Sequence, residues 1–90
     1  MPTASKPKSR HYVYLLECSD STYYCGIAKD LGKRLALHNA GKASRYTRAR
    51  GPVKVVYAEK KDGIGEALRR EHEIKSFSRK EKQILIGSKK

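Results

Sequence analysis

The side chains able to do chemistry in this chain fall in three places. Two tyrosines, Tyr14 and Tyr24, occupy alternating positions in two runs of β-forming residues, H-Y-V-Y-L-L-E (11–17) and T-Y-Y-C-G-I-A (22–28). Arg34 and His38 are four residues apart and therefore share one face of a helix. Glu71 lies three or four positions from Ala67, Leu68 and Ile74, which puts a carboxylate on the apolar stripe of a second helix. Phenols, a guanidinium, an imidazole and a desolvated carboxylate are the parts from which proton transfer and charge stabilisation are built. Each also has an ordinary structural reading. Tyrosine is a favoured strand residue, Arg34 alone is a surface cation, and His38 alone is a helix-end residue beside carbonyl dipoles. Glu71 has Arg69, Arg70 and Lys75 within reach as ion-pair partners.

The elements that must position these groups follow from periodicity and punctuation. The first two runs, joined by S-D-S, read as a hairpin with Tyr12, Tyr14 and Leu16 on one face and Tyr24, Gly26 and Ala28 on one face. Tyr14 and Tyr24 can then share a surface. A helix follows, with Asp30 as N-cap, Leu31 and Leu35 one turn apart and Gly41 as its stop. K-A-S-R-Y-T-R-A-R-G-P (42–52) carries four cations and no acid, and reads as an exposed basic loop. V-K-V-V-Y-A-E (53–59) is a third strand. Residues 64–77 form a helix whose apolar members are Ile64, Ala67, Leu68, Ile74 and Phe77, with Glu66 and Glu73 turned away. The S-R-K-E capping box at 78–81 opens a terminal helix through Ile86. The order is ββαβαα and the fold class α/β (α+β). Residues 1–10 read as a flexible basic tail, 11–86 as one domain and 87–90 as a C-terminal tail.

Lysine and arginine number 21 against 9 acids in 90 residues, a net charge of +12 that favours a polyanionic partner, nucleic acid first. No stretch has the ~18 apolar residues of a membrane-spanning helix. The N-terminal segment lacks the apolar core of a secretion signal, so a cytoplasmic, nucleoid-associated protein is expected. Cys18 and Cys25 read as reduced strand residues, and His11, His38 and His72 show no paired metal-ligand spacing.

Tyr12-Val13-Tyr14, nine residues, then Tyr24-Cys25-Gly26 resembles the paired signature of the GIY-YIG nuclease superfamily. K-R-L-A-L-H-N with Arg34 and A-L-R-R-E with Glu71 follow in the superfamily's order. The resemblance runs from about His11 to Ile86. It is greatest to small stand-alone, single-domain members of bacterial type, in which a G-K-x-x-x-Y-T-R-x-R-G-P stretch, here Gly41 to Pro52, follows the first helix.

The resemblance implies a three-stranded antiparallel sheet flanked by helices, and metal-dependent hydrolysis of phosphodiester bonds. Glu71 would hold one Mg²⁺ or Mn²⁺ per site, and Arg34 the scissile phosphate. Tyr14 would deprotonate or orient water with help from His38, and Tyr24 would position water or phosphate. A free phenol has a pKa near ~10, so Tyr14 needs positive charge nearby. Gly26 is expected to be structural, at a close approach to the backbone. Lys33, Lys42, Arg45, Arg48 and Arg50 would contact the nucleic-acid backbone and Tyr46 would stack on a base.

Tyr12 stands where glycine is usual and Cys25 where isoleucine is. The asparagine that many members carry after the glutamate is missing; only Ser76, Ser78 and Gln83 follow, and Asn39 precedes. The expected activity is that of an endonuclease on DNA, or on RNA, structure-selective or weakly sequence-specific, in repair, recombination or processing. A protein partner that supplies the specificity no base-reading residue provides is a further expectation. The alternatives are a non-catalytic nucleic-acid-binding module of the same fold and a basic structural protein of a ribonucleoprotein particle.

Overall fold

The computed structural model describes residues 10–88; the N-terminal tail up to residue 9 and residues 89–90 lie outside the described residues. The elements are β1 (His11–Glu17), β2 (Tyr23–Ala28), α1 (Leu31–Asn39), α2 (Arg45–Arg48), β3 (Lys54–Lys61), α3 (Ile64–Lys75) and α4 (Arg79–Gly87). The sheet has three strands in the order β2-β1-β3, both pairings antiparallel. The expected order is therefore present, with one short helix added between α1 and β3.

Alternation along β1 separates two cores. Val13 and Leu15 point to one face, where Cys25, Tyr57, Ala67 and Ile74 join them under α3 and α4. Tyr14 and Leu16 point to the other, with Ala28 and Val53, beneath Leu31 and Leu35 of α1. Val13, Leu15, Leu16 and Ile74 are fully buried. Each such side chain contributes about 1.5–3 kcal/mol through removal from water. Being the central strand, β1 carries both cores.

Local signals set the helix ends. Asp30 caps α1, its carboxylate accepting from the Lys33 amide at 3.0 Å. At the other end Gly41 adopts φ +75°, and Lys42 N donates to Leu37 O while Gly41 N donates to His38 O. That is the Schellman arrangement, which favours glycine at the left-handed position. Ser78 and Glu81 complete the capping box of α4, which runs to Gly87, one residue past the expected end.

Two sequence expectations change. The basic segment is not simply an exposed loop: Ser44 caps the single turn of α2, and Thr47 within it is fully buried. Ile64 and Leu68 are not core members either, being about half exposed, because the sheet covers only the Ala67–Ile74 line of α3. The outer side of that sheet face is closed by charge. Arg70 donates to both carboxylate oxygens of Glu59 at 2.8–3.0 Å, and Tyr57 donates its phenolic proton to the same carboxylate.

Candidate active site

Tyr14 of β1 and Tyr24 of β2 lie on the same sheet face, two residues offset in register, with ring centroids 6.4 Å apart. Gly26 is the cross-strand partner of Tyr14, and the phenol lies directly over it. A Cβ at Gly26 would stand 2.6 Å from the Tyr14 oxygen, so the strand must have no side chain there.

Helix α1 roofs this face. Leu31 and Leu35 anchor it, and the turn of 3.6 residues then directs Arg34 and His38 toward the tyrosines. The Tyr14 phenol and His38 Nε2 are hydrogen-bonded at 2.8 Å. Arg34 is held by donation from Nη1 to the Ile27 carbonyl at 3.1 Å. The imidazole also meets the Tyr24 ring edge-on at 5.1 Å.

Burial dominates the protonation of this cluster. It pushes the Tyr14 phenol up to about 12, with Tyr24 adding to the rise and Arg34 only partly opposing it. The positive charge that the sequence suggests would assist Tyr14 is thus present but outweighed by desolvation. His38 is shifted down from the ordinary histidine value, by burial first and by Arg34 second. A neutral imidazole against a neutral phenol results, a pair in which the nitrogen is the better proton acceptor.

A residue missing from the sequence-based set completes the cluster. His38 Nδ1 is hydrogen-bonded to Thr47 Oγ1 at 2.8 Å. The available signal was a β-branched polar residue among cations, three positions after Ser44, a spacing that lets the serine cap a turn.

Glu71 is placed differently. Its side chain is 20% exposed and pairs with Lys75 at 3.3 Å, one helical turn on. Among the described residues it makes no hydrogen bond or ion pair with Tyr14, Tyr24, Arg34 or His38. It faces β2 beside Cys25, whose thiol is pushed up to about 11 by burial first and by the Glu71 carboxylate second. Cys25 follows Tyr24 in the chain and packs with Ala67 and Ile74 of α3, the helix that carries Glu71. No three His, Cys, Asp or Glu side chains gather among the described residues. A single oxygen donor of this kind fits a hard ion that keeps most of its water, and does not fit a zinc-type ligand set.

The serines after Glu71 are committed elsewhere: Ser76 Oγ donates to Glu73 O at 2.6 Å and Ser78 caps α4. Asn39 clamps the start of β3, accepting from Val53 N at 2.7 Å and donating to Val53 O at 3.2 Å.

In the basic segment, Lys42, Arg45 and Arg48 are exposed, as is Lys33 on α1. Arg50 is not a free cation. Its guanidinium pairs with Asp20 at 3.1 Å, donates to Tyr46 O at 2.9 Å and lies 4.0 Å over the Tyr46 ring. Tyr46 also stacks on Tyr24, centroids 6.0 Å apart, so its ring is already engaged within the protein. A separate cavity of about 340 Å³ opens between Glu17–Ser21 and Pro52–Lys54 and contains none of the five chemical side chains. No helix of the described residues is long and apolar enough to cross a membrane.

The chain is similar to known proteins in sequence and in fold. The chain is 49% identical over 78 residues to a UPF0213 protein of Staphylococcus saprophyticus, covering 87% of this chain and 95% of that one. It is 49% identical over 76 residues to a UPF0213 protein of Halobacterium salinarum, covering 84% and 99%. The solution structure of a UPF0213 protein from Bacillus halodurans superposes with a TM-score of 0.59 at 41% identity, covering 89% of this chain and 85% of that one. The GIY-YIG catalytic domain matches residues 10–84, and the chain belongs to that nuclease family.

Proposed function

We propose that the protein is a divalent-metal-dependent endonuclease that hydrolyses phosphodiester bonds in DNA. The observation that carries this reading is the buried 2.8 Å hydrogen bond between Tyr14 and His38, with Arg34 and Tyr24 on the same sheet face. A phenol buried against a neutral imidazole has a ready destination for its proton. Tyr14 can then take a proton from an attacking water as it gives up its own. Arg34, oriented by the Ile27 carbonyl, presents a planar fork to the phosphate and opposes the charge that builds there. Tyr24 borders the same space and positions water or phosphate. Glu71 would hold Mg²⁺ or Mn²⁺, which when bound supplies positive charge to the phosphate.

Exposed Lys33, Lys42, Arg45 and Arg48 supply backbone contacts without reading base edges. Structure-selective or weakly sequence-specific cleavage, in DNA repair, recombination or processing, fits such a surface, as does a protein partner that adds specificity. The net charge of +12 would keep the protein near the nucleoid in the cytoplasm.

The test is a panel of branched, nicked and single-stranded DNA incubated with the full chain and Mg²⁺ or Mn²⁺, against an EDTA control. Cleavage is expected, abolished in Glu71→Ala while DNA binding persists. Salt-sensitive binding with no cleavage above the control would instead identify a non-catalytic binding module.

A further inference from the structure

Thr47 is fully buried, although it lies between exposed Arg45 and Arg48 on a single helical turn. Its hydroxyl oxygen has two polar neighbours. Thr47 Oγ1 lies 2.8 Å from His38 Nδ1 and 3.4 Å from the Ser44 carbonyl oxygen. A carbonyl can only accept, and Ser44 O, which also takes the Arg48 amide at 3.1 Å, offers the Thr47 hydroxyl proton a destination away from His38. With the proton so directed, the threonine oxygen accepts from His38 and Nδ1 carries the hydrogen. In a neutral imidazole that leaves Nε2 bare. Nε2 is the atom facing Tyr14 at 2.8 Å, so the phenol donates to it. In that arrangement one direction runs through the four groups, from the Tyr14 phenol to His38, on to Thr47 and out to the Ser44 carbonyl.

We infer that Thr47 is a positioning residue that holds His38 in the Nδ1–H tautomer, so that Nε2 is free to receive the Tyr14 proton. The inference rests on the nuclease reading for its consequence, but the tautomer itself is independent of activity. In the step concerned, the Tyr14 O–H bond breaks as the His38 Nε2–H bond forms. A water proton replaces the one lost from the phenol, the resulting hydroxide attacks phosphorus as the P–O bond to the leaving oxygen breaks, that oxygen takes a proton from solvent water, and His38 leaves the step as imidazolium. Its positive charge develops against the Thr47 oxygen, which accepts more strongly from it. In the opposite tautomer Nε2–H would point at the phenol and could accept nothing.

Ser44 sets Thr47 in turn. Its hydroxyl accepts from the Thr47 amide at 3.2 Å, which fixes the turn that aims Thr47 at the imidazole. The basic segment therefore contributes more than charge. Its buried threonine reaches behind the histidine while Arg45 and Arg48 face solvent.

The test compares the full-length wild type with Thr47→Val, which matches the shape and removes the hydroxyl, and with Thr47→Ser, which restores it. Long-range ¹H–¹⁵N NMR of the imidazole should show the Nδ1–H tautomer in wild type and Thr47→Ser, and Nε2–H in Thr47→Val. Single-turnover cleavage of the best DNA substrate should fall roughly 10–100-fold in Thr47→Val with binding unchanged, and recover in Thr47→Ser. An Nε2–H tautomer in the wild type overturns the inference whatever the variants do, including a Thr47→Val that fails to fold. So does a folded Thr47→Val that keeps the Nδ1–H tautomer. If wild type cleaves nothing but shows Nδ1–H, the nuclease reading fails while the positioning by Thr47 stands.

Discussion

Tyr14 and Gly26 face each other across the hairpin so closely that a Cβ on the glycine would stand 2.6 Å from the phenolic oxygen and 2.7 Å from the ring carbon that bears it. Neither neighbour can yield cheaply, since Tyr14 is also tied to His38. Gly26→Ala should therefore cost about 1–3 kcal/mol by overpacking, lowering the melting temperature by roughly 4–8 °C per kcal/mol in a domain of this size. It should also displace the phenol and depress cleavage. Thermal denaturation alongside the DNA panel checks this; a variant as stable and as active as wild type would contradict the close approach.

His38 should impose an acid limb on the cleavage rate. Burial and Arg34 lower its pKa below the ordinary 6.5, so the neutral acceptor persists at pH 7 and is lost as pH falls through the lowered value. Single-turnover rates between pH 5 and 8 should be flat near neutrality and decline on the acid side of 6.5. The decline should be missing from the residual activity of His38→Gln. An inflection above pH 7 would show that the imidazole is not the depressed, buried group described here.

Arg34 has two measurable effects. Arg34→Ala should lower kcat about 10²–10³-fold, as loss of one charge-stabilising donor does, while DNA affinity changes less. Because Arg34 also helps to lower the His38 pKa, NMR titration should find that pKa raised in the same variant. Equal losses in affinity and turnover would make Arg34 a binding residue only.

Glu59 should shape acid stability. Burial by itself would raise its pKa, but hydrogen bonds from Arg70, then Tyr57 and Lys61, bring it down to about 2 from 4.5. A carboxylate whose folded pKa is depressed stabilises the fold above the unfolded value, and that stabilisation is lost as pH falls from 4.5 toward 2. Glu59→Gln should be less stable at pH 7 and lose less on acidification. Arg70→Met, leaving the carboxylate without its main partner, should cost about 1–3 kcal/mol at pH 7. Urea midpoints at pH 7 and 3 would refute this if all three chains lost stability in parallel.

Much of the site was legible because it depends on short-range geometry. The period of two places Tyr14 with Tyr24, the period of 3.6 places Arg34 with His38, and the helix boundaries at Asp30, Gly41 and Ser78 depend on neighbouring residues alone. Gly26 was legible as a close approach, though not what approaches it. The basic segment was misread in part because four cations hide one threonine: composition averages over a stretch, and burial is decided residue by residue. Ile64 and Leu68 were misassigned for a related reason. Helical spacing defines a stripe, but only the opposing sheet decides how much of it is covered.

By itself the sequence determined the order of strands and helices, the family, the identity of the chemical side chains and the excess of positive charge, since these rest on residue types and local periodicity. Tertiary structure alone decided which of them meet and in what protonation state. It put Thr47 behind His38, turned Arg50 inward to Asp20 and Tyr46, paired Glu71 with Lys75, and reversed the expected balance at Tyr14. Desolvation and contact across tens of residues follow from packing, and packing has no local signature in the chain.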